Sequence, residues 1–92
     1  DLKRMEAERR QTRSRELRAQ REIVTALETE IHDIEKRQAD LTREMENPAT
    51  YAEPGRGAQI SRDLVDIRDA LQNRMAEWER EAATLAQIEQ KE

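Results

Sequence analysis

Six arginines, Arg9, Arg10, Arg13, Arg15, Arg18 and Arg21, crowd the first quarter of the chain. On a helix they point in several directions and surround one end with positive charge. That arrangement suits neutralisation of nucleic-acid phosphates without readout of base edges. Such contacts would weaken with salt and tolerate many sequences. No aromatic residue interleaves with the arginines, so the segment offers no stacking platform for single-stranded bases. The competing reading is a solvated helix end, paired internally with Glu6, Glu8, Glu16 and Glu22, or a linker to another domain.

The other reactive side chains point away from catalysis. His32 falls on an outer heptad position beside Glu28, Glu35 and Lys36, and a lone histidine on a charged face lacks the convergent ligands a metal needs. Glu77, Glu81, Asp63, Asp66 and Asp69 lie on helix faces with no pocket to shift their proton affinity. Neither GxxxxGKS/T nor GxGxxG occurs, so the chain has no phosphate-cradling loop. The expectation is a chain with no catalytic residues, no metal and no cofactor of its own.

Composition limits the elements that could position the arginines. Of 92 residues, 35% are hydrophobic and 41% charged, with no Phe and no Cys, and Trp78 and Tyr51 as the only aromatics. Ordinary globular domains are roughly half apolar and one quarter charged, so a round core is excluded and a long helical seam is favoured. Disulfides and cysteine-based metal sites are excluded outright. No apolar run approaches the ~20 residues that span a bilayer, and the N-terminus lacks the apolar stretch of a secretory signal. These features lead to an expectation of a soluble, cytoplasmic chain without membrane partners. Opening at Asp1 in mid-helical pattern without an initiator Met, it reads as a piece of something longer.

The net charge of −4 conceals an asymmetry. Residues 1–22 carry eight basic and five acidic side chains, whereas the remainder carries nine basic and sixteen acidic ones. A basic end on an acidic rod directs an anionic partner to one end.

The seam itself is periodic. Leu17, Gln20, Val24, Leu27, Ile31, Ile34, Gln38, Leu41 and Met45 alternate by three and four, the a/d rhythm of a heptad repeat. Extending it backwards places Arg13 and Arg10 where apolar residues belong, so the seam ends near Leu17. Ile60, Leu64, Ile67, Leu71, Arg74, Trp78, Glu81, Leu85 and Ile88 repeat the rhythm. Between the two runs, residues 47–57 hold both prolines, both glycines and the only tyrosine.

Asn47 and Pro48 end the first helix and can begin a short turn, with Pro54, Gly55 and Gly57 allowing the reversal. Pro54 is an alternative first residue of the second helix, which should be firm by Ala58 or Gln59. The expected fold is all-α, a two-helix antiparallel coiled-coil hairpin with a short Pro/Gly-containing tip. Helix 1 runs to about 46, the tip is 47–57, and helix 2 occupies about 58–90. Residues 1–16 form a basic helical linker or overhang, and 17–92 the hairpin.

Folding at the break opposes Met45 to Ile60, Leu41 to Leu64, Ile34 to Leu71, Leu27 to Trp78, Gln20 to Leu85 and Leu17 to Ile88. It sets Glu92 near Arg13. Trp78 is expected in the core, the alternative being a binding aromatic, and Tyr51 is expected to close the seam over Met45 and Ile60, the alternative being a ring presented to a partner.

Glu46-Asn47-Pro48-Ala49-Thr50-Tyr51, then Glu53-Pro54, then a heptad helix with Ser61-Arg62-Asp63-Leu64 and Trp78-Glu79, resembles the C-terminal coiled-coil domain of ABC-F ATPases. The Uup-like branch is the nearest match. Asn47 stands where that family usually has Asp, and Gly55 and Gly57 where helix formers are common. The resemblance implies a soluble cytoplasmic ATPase that holds ATP and Mg in two nucleotide-binding domains outside this chain. It also implies that residues 1–16 leave the second of those domains, and that the hairpin is an accessory arm contacting DNA or ribosomal RNA. Because the hairpin body is acidic, the contact is assigned to Arg9, Arg10, Arg13, Arg15, Arg18 and Arg21. The alternative is a structural or protein-interaction coiled coil, a spacer or a homodimerising rod; a monomeric hairpin is the expected state.

Overall fold

A computed structural model describes residues 1–91. Glu92, and with it the expected approach of Glu92 to Arg13, lies outside the described residues. Helix α1 spans Leu2–Glu46, a short 3-10 turn spans Pro48–Ala52, and helix α2 spans Arg56–Gln90. Among the described residues there is no strand, and α2 returns antiparallel along α1 to give a rod of 75 × 16 × 15 Å. The fold is the expected helical hairpin.

Helix α1 starts at Asp1, whose carboxylate accepts from the Lys3 amide at 3.0 Å and satisfies one of the first unpaired donors. It then runs unbroken for 45 residues, because no proline or glycine interrupts it. It stops at Asn47, which Pro48 forces into extended backbone, φ −83° and ψ 117°. The Asn47 side chain caps the following turn by accepting from the Ala49 amide at 3.0 Å. Gly55 supplies the left-handed conformation, φ 81°, that reverses the chain. Helix α2 therefore begins at Arg56, earlier than the periodicity indicated, and Pro54 belongs to the turn before it.

Every seam position read from the periodicity is buried or half-buried. Near the tip the core is apolar: Leu41, Ile60 and Ile67 form its centre, flanked by Ile34, Met45, Leu64 and Leu71. Ile60 is fully enclosed at 0% exposure. Towards the other end Leu17, Val24 and Leu27 are buried, but Gln20 is buried with them. Its amide donates to the Glu81 carbonyl at 3.0 Å and to the Glu81 carboxylate at 2.6 Å. Gln20, which the expected layering set against Leu85, thus reaches one turn towards the tip. The hydrogen bonds satisfy a polar layer that would otherwise cost desolvation, and they fix the register of the two helices. Trp78 is half-buried in the seam, with its indole Nε1 enclosed and without a partner among the described residues.

The antiparallel order is also visible on the flanks. Arg21 pairs with Glu89 at 3.6 Å, Glu30 with Arg74 at 3.9 Å, Arg37 with Asp63 at 3.8 Å and Glu44 with Arg56 at 2.6 Å. The first three are largely exposed and act as guides to register more than as sources of stability.

Candidate functional site

All of residues 1–16 are exposed, and among the described residues no second helix covers α1 ahead of Leu17. The segment stays helical on propensity, its Asp1 cap and the Arg4–Glu8 pair one turn apart. At 3.6 residues per turn, Arg9, Arg10 and Arg13 fall within about 100° of one another, on the side that Leu17 and Gln20 present to α2. They form a cluster that overhangs the end of α2. Arg15 and Arg18 lie on the back of the same helix, and Arg21 on the flank.

Arg9, Arg10 and Arg13 share a shallow groove with Glu6, and Arg9 and Arg13 share a second with Met5, Glu8, Thr12 and Glu16. The acids temper the field without cancelling it, since Arg4 with Glu8 is the ion pair within this segment among the described residues.

Two of the six arginines are engaged by α2. Arg13 Nη1 donates to the Lys91 carbonyl at 3.5 Å, and Arg21 pairs with Glu89. Both meet the C-terminal end of a helix, where unpaired carbonyls carry partial negative charge that favours cations. Arg9, Arg10, Arg15 and Arg18 make no ion pair among the described residues. Sequence reasoning missed the division between engaged and free arginines. It depends on which individual side chains reach α2, which helical spacing does not specify.

At the opposite end the tip is tied down by its own side chains. The Glu44 carbonyl accepts from the Asn47 amide at 3.2 Å and the Thr50 hydroxyl at 2.5 Å, and the Met45 carbonyl accepts from the Tyr51 hydroxyl at 2.7 Å. These satisfy carbonyls that the last turn of α1 leaves without helical partners. Arg56 forks onto Glu44 with Nε to Oε1 at 2.6 Å and Nη2 to Oε2 at 2.7 Å, clamping the start of α2 to the end of α1. Hydrogen bonding from Arg56 holds the Glu44 carboxyl below its ordinary range and raises the Arg56 guanidinium in turn.

Tyr51 does not close the seam over Met45 and Ile60, which corrects the expectation from sequence. The residue is 59% exposed, and its ring lies against Gly57 with the hydroxyl hooked onto α1. Ile60 is enclosed within the apolar cluster of Leu41 and Ile67.

His32 is exposed, and no group of three metal-ligating side chains converges among the described residues. No helix among them is long and apolar enough to cross a membrane.

A family model described as ABC transporter C-terminal domain matches residues 14–82. The match takes in the seam of α1, the tip and most of α2. No curated protein and no solved structure matches the chain.

Proposed function

The chain belongs to the ABC transporter C-terminal domain family, and from that premise we propose that it is the accessory arm of a soluble, cytoplasmic ABC-F ATPase of the Uup-like branch, contacting nucleic acid through its basic base. The break at Pro48 and Tyr51, with Trp78 in the second helix, supports the assignment within the family. ATP and Mg would be bound by nucleotide-binding domains outside this chain. The observation that carries the nucleic-acid reading is the uncovered end of α1. Among the described residues, Arg9, Arg10, Arg15 and Arg18 ring a stretch of helix that no second element shields, and they are not committed to internal ion pairs. An uncovered cationic helix end of that kind neutralises phosphates on a duplex or folded RNA and reads shape in preference to sequence.

For Arg13 and Arg21 a specific observation favours the structural reading. Both hold the end of α2, so a spacer or protein-interaction coiled coil would have use for them. The experiment that separates the two readings is fluorescence anisotropy with labelled duplex DNA and a labelled RNA hairpin. If four to six phosphates are neutralised, affinity falls roughly 10²- to 10³-fold between 50 and 200 mM salt. The variant with Arg9, Arg10, Arg15 and Arg18 all changed to Glu loses binding while keeping its helicity. Absence of binding at 50 mM salt, or binding indifferent to that variant, would leave the hairpin as a structural coil.

A further inference from the structure

Tyr51 is a rigid aromatic surface in an exposed place. Its hydroxyl is fixed to the Met45 carbonyl at 2.7 Å, and one edge of the ring is seated against Gly57, where even a Cβ would come within 2.9 Å of Cε1. A ring held this way loses little conformational freedom when a partner arrives, which is the property that makes pinned tyrosines effective contact residues. Beside it runs an open groove lined by Met45, Glu53, Pro54, Ala58 and Ser61.

The charged side chain that lines the groove is Glu53. From Glu46 to Gly55 the chain carries two acids and no basic residue. The nearest cation in sequence on the α2 side, Arg56, is committed to Glu44 through both arms of its fork. The Glu53 side chain makes no hydrogen bond or ion pair among the described residues, although it lines the groove with Tyr51. An aromatic face attracts a cation through its quadrupole, and a free carboxylate at its edge adds a charge-assisted hydrogen bond.

We propose that the tip groove beside Tyr51 is a docking site for an arginine side chain on a basic segment of a second protein, laid against the ring and paired with Glu53. The site stands at the far end of the rod from the basic base and does not depend on what the base binds. It would give the hairpin a protein contact at the tip.

The test uses the whole chain and the acetylated, amidated tripeptide Gly-Arg-Gly as probe, followed by NMR. With one Tyr, one Trp and no Phe, the ring signals of Tyr51 and Trp78 are assigned by inspection. The expected result is a saturable shift of the Tyr51 ring and of the Gly55, Gly57 and Ala58 amides, with the Trp78 indole unmoved. Glu53→Gln weakens binding about threefold, as the loss of one exposed ion pair should. Tyr51→Leu weakens it several fold, read at the amides, and Tyr51→Phe, which keeps the ring but frees it, weakens it less than Tyr51→Leu. The proposal is overturned if the norleucine tripeptide binds as well as the arginine one, if adenosine monophosphate binds in preference, or if the shifts spread evenly over the acidic flanks at Asp33 and Asp66. It is equally overturned if Tyr51 signals move with protein concentration alone, since a second copy would then fill the groove.

Discussion

A methyl group on Gly57 would collide with the Tyr51 ring, and the same substitution would improve helix propensity near the start of α2 by up to ~1 kcal/mol. The two effects oppose each other. Gly57→Ala is expected to gain less stability in the native background than in a Tyr51→Ala background, and a double-mutant cycle by thermal melting reads the difference. Glu44 makes a second prediction, in pH. Its folded-state carboxyl lies below its unfolded value, so the Arg56 fork stabilises fully above the ordinary carboxylate range. That contribution is lost as pH falls through the lowered folded value. Melting curves of Glu44→Gln should therefore fall less steeply than those of the native chain as the solution is acidified below about pH 4.3. Trp78 makes a third. Its enclosed Nε1–H lacks a partner among the described residues, an arrangement that costs about 1–3 kcal/mol when a donor is desolvated. Trp78→Phe should leave the midpoint unchanged or raise it, while Trp78→Ala lowers it by several degrees through lost packing.

The helices were the most legible part of the chain. The three-and-four spacing names the buried positions because an α-helix offers one narrow stripe to a partner, and only apolar side chains or satisfied polar ones survive there. Asn47 and Pro48 announced the end of α1 for equally local reasons. Tyr51 was misplaced because its position depends on a non-local fact, the absence of a side chain six residues later at Gly57. The glycine reads in sequence as a helix breaker; the structure gives it a second use as a seat for the ring. The Gln20 contact was half legible: the polar interruption showed, but its partner Glu81 followed from rotamers that spacing does not specify.

Packing is also uneven along the hairpin. Ile60 lies at the centre of the apolar cluster near the tip, so Ile60→Ala is expected to cost about 2–4 kcal/mol. Leu27→Ala, in the half that carries Gln20, Arg74 and Glu81, should cost less and still lower the midpoint by several degrees. A comparison of the two midpoints checks the gradient.

Across the whole molecule that gradient means the hairpin opens from the base. Amide exchange should be slowest around Leu41 and Ile60, intermediate near Leu27, and fast through residues 1–16, where no second helix protects the backbone. Removing residues 1–12 should change stability by less than ~0.5 kcal/mol, because that stretch buries nothing.

The length of the rod, 75 Å, has a consequence for how such an arm can vary. Each heptad added to both helices lengthens it by about 10 Å and turns the tip by only about 20° relative to the base. Insertion of one or two residues would instead swing the tip to another side and scramble the seam. The hairpin therefore works as a ruler graduated in heptads. The distance between whatever holds its base and whatever meets its tip is set by the number of layers in the seam.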